Sequence, residues 1–173
     1  SAYFVGNNPE PAKWTEHNYF IDNVVFDPGN VARSGGDYFA KWNNGKGPTY
    51  FWANRGYRGG GLYQAAASAG ELRISDCLFL QSQAESGGGI ECVGGEPSCR
   101  VALTNCQFFQ NSASYGGAIS IVGTNTVSIE GCFFHLNSAT NIGGGMYVHG
   151  NADIRISRSQ FEENTGLAGG GIA

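Results

Sequence analysis

The chain has 173 residues, of which 28 are glycine; this is about 16%, more than twice the roughly 7% of an average protein. Hydrophobic residues make up 41%, aromatic residues 13%, and the formal net charge is only −4, which excludes the composition of a disordered chain. Charged residues total 14%, against a typical ~25%, so no nucleic-acid partner is expected. We therefore expect one globular or solenoid domain with a buried core.

One repeat recurs six times along the chain. In each copy a phenylalanine follows an anchor residue by two positions, and in all but the first copy an asparagine or serine comes three positions later. The anchors are Val24, Thr49, Cys77, Cys106, Cys132 and Ser159. They are separated by 25, 28, 29, 26 and 27 residues, and such a period is typical of solenoids.

The first copy is the weakest and consists of Val24, Phe26 and Gly35-Gly36. Every later copy carries two or three consecutive glycines, and apolar residues alternate over short stretches such as Leu72-Arg73-Ile74. Paired helices in each repeat are excluded because every helical glycine costs roughly 1 kcal/mol. The pattern predicts an all-β solenoid of about six coils, with 25 to 29 residues in each coil.

The motif Phe-x-x-Asn occurs four times in phase with the glycine runs, from Phe51, Phe108, Phe134 and Phe161, and Gly116 begins the tetrapeptide Gly-Gly-Ala-Ile. This combination resembles the repeat of chlamydial polymorphic outer-membrane proteins. Those proteins belong with the right-handed parallel β-helices of the pectin-lyase-like kind. The resemblance implies a right-handed parallel β-helix, together with display at a cell surface and adhesion.

We expect a single β-helix segment over residues 1–173, in which 1–18 complete a preceding coil and its loop and 19–173 hold six repeats. Because the sequence begins and ends in the middle of a coil, we expect that the natural molecule continues or that segments abut head to tail in a filament. No apolar run approaches the roughly 20 residues of a membrane-spanning helix.

Residues at equal offsets should stack in columns, because parallel strands of successive coils lie about 4.8 Å apart. Two internal columns are expected, an aromatic stack and a polar ladder at a tight turn, whose amides can satisfy one another. The aromatic stack comprises Phe26, Phe51, Phe79, Phe108, Phe134 and Phe161. The polar ladder comprises Asn54, Ser82, Asn111, Asn137 and Asn164.

The five cysteines fall into two groups. Cys77, Cys106 and Cys132 share the anchor column, where they should point inward as small hydrophobes rather than hold a metal. Cys92 and Cys99 flank an insertion in the longest repeat. A disulfide between these two would close the loop and imply an oxidising compartment, and the alternative is a pair of free thiols.

Catalytic groups are sparse. By resemblance, β-helical lyases hold calcium with several aspartates beside a basic residue, yet the column before the anchor offers Asp76 alone, with Arg73 near it. Glu162 and Glu163 are adjacent on a strand, so their side chains should point to opposite faces. The sequence therefore predicts no catalytic residue, no metal site and no cofactor.

Several apolar residues occupy positions that should face outward from the strand after each anchor. They are Tyr50, Trp52, Leu78, Leu80, Phe109 and Phe133. Such a patch should be covered. One candidate cover is the chain's own aromatic-rich stretches 9–20 and 37–46; the other is lateral association with a protein or stacking against sugar rings.

These observations predict an extracellular structural or adhesive rod, part of a surface protein or fibre. Its expected partners are other protein subunits, head to tail or lateral, and glycans. The alternative is a carbohydrate-active β-helix, either a polysaccharide lyase or a sugar-binding protein.

Overall fold

A computed structural model describes residues 19–21, 24–25, 33–34, 38–40, 49–66, 71–95 and 99–173. Twenty-one short strands follow one another in these ranges. The first turn holds β1 (Tyr19–Ile21), β2 (Val24–Val25), β3 (Arg33–Ser34) and β4 (Tyr38–Ala40). The second holds β5 (Thr49–Trp52), β6 (Arg55–Gly56), β7 (Leu62–Ala66) and β8 (Glu71–Ser75). The third holds β9 (Cys77–Leu80), β10 (Ile90–Val93) and β11 (Cys99–Thr104).

The remaining strands repeat this order. The fourth turn holds β12 (Gln107–Phe109), β13 (Ser112–Tyr115), β14 (Ile119–Val122) and β15 (Asn125–Glu130). The fifth holds β16 (Phe133–His135), β17 (Ser138–Ile142), β18 (Met146–His149) and β19 (Ala152–Ser157). The last described turn holds β20 (Gln160–Glu162) and β21 (Thr165–Ala168). Four turns, from Thr49 to Ser157, are thus described with few gaps.

Each strand pairs in parallel with its counterpart one turn away, so the strands form sheets that run along the solenoid. The first sheet contains β1, β5, β9, β12, β16 and β20. The second contains β13, β17 and β21, with β2 and β6 joined to it through bridges of Gln83 and Ser86. The third contains β3, β7, β10, β14 and β18, and the fourth contains β4, β8, β11, β15 and β19. The predicted all-β parallel solenoid is confirmed. Among the residues that the structure describes, no helix is long and apolar enough to cross a membrane.

The alignment predicted for the first repeat is wrong. Strand β1 pairs with β5 so that Phe20 is opposite Phe51, and Val24 is opposite Arg55 rather than Thr49. Phe26 lies outside the described residues, and Phe20 occupies the register position that was predicted for it. Gly35-Gly36 also lies outside them, but Arg33 is already opposite Ala65, beyond the glycine run 59–61. The first turn is longer than the others, so an alignment with a constant period chose the wrong phenylalanine.

The glycines of each run serve different purposes, as the run 87–89 of the third turn shows. At Gly87, where φ is +63°, a Cβ atom would lie 2.1 Å from the carbonyl oxygen of Ile90. A Cβ at Gly88 would lie 2.2 Å from the carbonyl oxygen of Gly117 in the next turn, and one at Gly89 would lie 3.1 Å from the ring of Phe108. The run therefore permits the bend, the close approach of the next turn and the packing of the aromatic column.

The internal aromatic stack is confirmed for five of its predicted members. Neighbouring rings from Phe51 to Phe161 lie 4.2 to 4.8 Å apart between centroids, with interplanar angles of 2° to 5°. Apolar side chains of the other sheets, including Ile74, Ile90 and Leu103, complete the same buried cluster. The core is thus one continuous column of apolar groups along the solenoid.

The polar ladder is also present, and its central amides are saturated. Asn137 donates from Nδ2 to the carbonyl oxygen of Phe108 at 2.9 Å and to Oδ1 of Asn164 at 2.9 Å. Its Oδ1 accepts from the backbone N–H and the Nδ2 of Asn111, both at 3.0 Å. Since Asn137 is fully buried, every one of these bonds replaces a bond to water that folding removes.

Ser82 interrupts the ladder. Its backbone N–H donates to Oδ1 of Asn111 at 3.0 Å, but its hydroxyl donates to the carbonyl oxygen of Leu80 within its own turn at 3.3 Å. A serine side chain is too short to reach the next amide as asparagine does. The amide chain therefore runs unbroken only from Asn111 onward.

Asn137→Ala should destabilise the protein by about 2 to 4 kcal/mol, because it leaves several buried donors and acceptors without partners. Chemical denaturation measures the change in the free energy of unfolding. Asn151→Ala, at an exposed position, is the control and should change it by less than about 0.5 kcal/mol. Equal effects of the two substitutions would contradict a stabilising role for the ladder.

Ser82→Asn should have the opposite sign and stabilise the protein by about 1 kcal/mol, because the added amide can bond to the turns on both sides. The gain should shrink when Asn111 is replaced by alanine, since the new amide then lacks its partner in the following turn. A double-mutant cycle in denaturant measures this coupling. Additive effects of the two substitutions would show that no new ladder bond forms.

Candidate functional site

The outer surface of the first sheet carries the apolar residues that the sequence placed there. We call the side chains of Trp52, Leu78, Leu80, Phe109 and Phe133 the aromatic face; Tyr50 belongs to it by register, but its side chain lies outside the described part. One column contains Tyr50, Leu78, Gln107 and Phe133, and the next contains Trp52, Leu80, Phe109 and His135. Trp52 is 46% exposed and the other members of the face are half-buried.

His135 is a member of this surface that the sequence did not single out. Its ring lies 5.2 Å from that of Phe109 and 5.4 Å from that of Phe133, nearly parallel to the latter. Its Nδ1 atom is buried and neither donates nor accepts a hydrogen bond. His135 thus adds a second ring to the aromatic face on β16.

Amide groups form a second ladder along the edge of the aromatic face. The indole N–H of Trp52 donates to Oε1 of Gln81 at 2.9 Å, and Nε2 of Gln81 donates to Oε1 of Gln110 at 3.0 Å. Both glutamines have a positive φ, 51° and 53°, at the corner after the first sheet. The described outward positions of β9 and β12, and Trp52 on β5, carry no Asp, Glu, Lys or Arg. The surface therefore combines apolar rings with fixed, uncharged polar groups.

A second cluster lies where the second and third sheets meet, on the outside of the glycine bends. Side chains before and after each glycine run converge there, and we call this region the inner corner. Its members are Arg58, Tyr63, Ser86, Glu91, Tyr115, Ser120 and Tyr147. Arg58 Nη1 donates to the hydroxyl of Tyr63 at 3.1 Å, and the hydroxyl oxygens of Ser86 and Ser120 are 2.9 Å apart.

Glu91 is the charged centre of the inner corner. Its side chain is 1% exposed, although the alternation of β10 directs it outward, and its Oε2 lies 3.3 Å from Nε of Arg58. That oxygen accepts no hydrogen bond of good geometry, so the attraction to Arg58 is mainly Coulombic. Burial raises the pKa of Glu91 above its ordinary value, and Arg58 and a hydrogen bond from Ser86 offset only part of the rise.

Charged side chains near the last anchor form surface ion pairs. Arg155 contacts Asp153 at 3.7 Å, and Arg158 contacts Glu130. Asp76 accepts a long hydrogen bond of 3.4 Å from Asn105. In the described ranges no three His, Cys, Asp or Glu side chains converge in a way that could hold a metal ion.

The family model described as the right-handed β-helix region matches residues 51–173. The chain belongs to the right-handed β-helix family. The resemblance is thereby confirmed at the level of the fold, while the likeness to polymorphic outer-membrane repeats stays a prediction. No curated protein and no solved structure matches the chain.

The anchor cysteines of this β-helix point inward, as the column predicted. Cys77, Cys106 and Cys132 are buried, and each thiol donates to a backbone oxygen two residues earlier. The pKa of Cys106 is raised to about 12, because its hydrogen bond with Cys132, which lowers it, is outweighed by its contact with Cys77 and by burial. The thiol of Cys106 is therefore protonated and unreactive at neutral pH.

The predicted disulfide between Cys92 and Cys99 stays a prediction. Cys92 is buried on β10, whereas the side chain of Cys99 on β11 lies outside the described part. The sequence did not indicate the inner corner, because strand alternation predicts that Glu91 is exposed; only the column of residues at its own offset offers a signal. That column holds Tyr63, Ser120 and Tyr147, and a carboxylate among them was the available signal.

Glu91→Gln should make stability less dependent on pH. Because the folded-state pKa is raised, the stabilisation linked to Glu91 is fully present below pH 4.5, its ordinary value, and is lost as the pH rises through the folded-state pKa. The variant should therefore gain stability relative to the native chain as the pH rises to neutrality. Melting temperatures measured across this range test it.

Glu85→Gln, which removes an exposed carboxylate from the same turn, is the matched control for the change in net charge. Parallel pH profiles of the two variants would show that the burial of Glu91 does not make the stability of the β-helix fall as the pH rises.

Proposed function

We propose that this β-helix is an extracellular structural or adhesive rod, part of a cell-surface protein or filament, and that it contacts other protein subunits through the aromatic face. The observation that carries the proposal is the run of apolar side chains over four adjacent strands on an outer surface. The proposed role involves no catalytic step, metal or cofactor.

The internal columns suit a rod. Each turn is joined to the next by backbone ladders in all its sheets, by stacked rings and, beyond Asn111, by buried amides. The contacts between turns are made by the backbone and by interior side chains, so the outer side chains need only keep the protein soluble. The outer positions are therefore available for contacts with other molecules.

The aromatic face suits a contact surface because exposed aromatic residues concentrate the energy of protein interfaces. Trp52 is 46% exposed, and its indole is held by Gln81 rather than free to rotate. A fixed ring loses little conformational entropy when a partner binds. Extracellular placement is supported by the resemblance to surface proteins.

A sugar-binding role is the second candidate, and the geometry of Trp52 favours it. An exposed indole beside a row of side-chain amides can stack on a sugar ring while Gln81 and Gln110 bond to its hydroxyl groups. In this reading the same face contacts a glycan instead of a protein subunit.

The double substitution Trp52→Ser and Phe109→Ser should weaken binding of the partner at least about tenfold, as loss of aromatic anchors does. The free energy of unfolding should change by about 1 kcal/mol or less, since the face is outside the core. Sedimentation of the protein alone measures self-association, and a glycan array measures binding to sugars. Thermal melting measures stability.

Leu167→Ser is the matched control, because Leu167 is 86% exposed and lies on β21, outside the aromatic face. A large loss of stability in the double variant alone would show that the chain's own segments cover the face. Release of unsaturated uronides in the presence of calcium would favour the carbohydrate-active alternative.

A further inference from the structure

We propose that Glu91 is an acid-operated release for Arg58. When the carboxylate takes up a proton from solvent, the guanidinium loses its ion pair, leaves the inner corner and becomes a free surface cation, while the fold stays intact. This inference rests on the inner corner and is independent of the role proposed for the aromatic face.

The two charges belong to successive turns and differ sharply in exposure. The Arg58 side chain is 39% exposed, whereas that of Glu91 is 1% exposed. The guanidinium covers the ring of Tyr63, with Cζ 5.6 Å from its centroid. Arg58 is thus a lid over a buried carboxylate, with one side already in water.

The groups that face Glu91 come from four places. Arg58 follows β6, and Tyr63 is opposite Glu91 on β7. Ser86 precedes the glycine run and is hydrogen-bonded to the carboxylate, and Ser120 is opposite it on β14. Arg58 supplies the attraction to the ionised form, and the hydroxyl of Ser86 supplies a hydrogen bond to it.

Protonation changes what holds Arg58 in place. The neutral acid no longer attracts the guanidinium, and its new O–H can donate to the oxygen of Ser86. Arg58 then keeps only the hydroxyl and the ring of Tyr63, two contacts that are weak at a partly exposed position. Burial favours uptake of the proton, because the neutral form of Glu91 is easier to keep from water.

The backbone of the corner does not depend on the ion pair. The N–H of Gly59 donates to the carbonyl oxygen of Ser86 at 2.9 Å, and that of Gly60 donates to Gly87 at 3.0 Å. The N–H of Leu62 donates to Gly89 at 2.9 Å. These bonds join the two turns on both sides of Arg58, so the side chain can leave without opening the ladder.

Nuclear magnetic resonance of the 173-residue chain tests the release. The Nε–H signal of Arg58 should move, and its exchange with water should accelerate, with the same midpoint as the carboxyl carbon of Glu91. In Glu91→Gln the Arg58 signal should be independent of pH. Arg158, which pairs with the more exposed Glu130, is the reference for an ordinary surface ion pair.

Ser86→Ala provides a second test that keeps both charges. Because the Ser86 hydroxyl lowers the pKa of Glu91, its removal should move the midpoint of the Arg58 signal to higher pH. The proposal is overturned if this midpoint does not rise, if Arg58 is unchanged while Glu91 titrates, or if its shift persists in Glu91→Gln. It is also overturned if the amides of residues 59–62 lose exchange protection at the same midpoint, because the corner would then unfold instead of releasing one side chain.

Discussion

The parallel register between turns is the constraint on which the rest of the structure depends. Each side chain meets the residue at the same offset one turn away, at about 4.8 Å. A column can therefore contain only groups that tolerate their own kind as neighbours. Flat rings such as Phe108, amides such as Asn137 and small thiols such as Cys106 meet this condition, whereas a column of like charges would repel itself. The low charged fraction of the chain follows from this geometry.

The same register explains both the glycine runs and the inner corner. Successive turns approach so closely at Gly88 that a side chain would collide with the backbone of Gly117. The bend that these glycines permit brings the residues on either side together, so Glu91 is buried although it points away from the core. A buried carboxylate is costly unless it is paired, and Arg58 offsets part of that cost at the position where the bend places it. The corner is thus a consequence of the bend.

How well the sequence predicts a feature depends on whether that feature repeats. Phe51 to Phe161 and Asn111 to Asn164 were found because each column recurs with nearly constant spacing. The first turn was misaligned because its added residues break the spacing. Phe26 fits the period counted back from Phe51, whereas Phe20 is the residue that lies opposite Phe51 in the sheet. Glu91 was missed for a physical reason: strand alternation predicts exposure, and the burial comes from a bend in three dimensions. His135 was missed because it replaces an apolar residue in the outer column.

The outer columns of the first sheet show that the aromatic face is not required by the fold. The column that contains Leu78 and Phe133 also contains Gln107 and Gln160, and the column that contains Trp52 and Phe109 ends in Glu162. The ladder therefore accepts polar and charged side chains at the same offsets. Inside the solenoid no such freedom exists, since the aromatic column holds phenylalanine in each of the turns from Thr49 onward. Apolar residues that the fold tolerates but does not demand are best explained by contact with something outside the β-helix core, either the chain's own stretches 9–20 and 37–46 or another molecule.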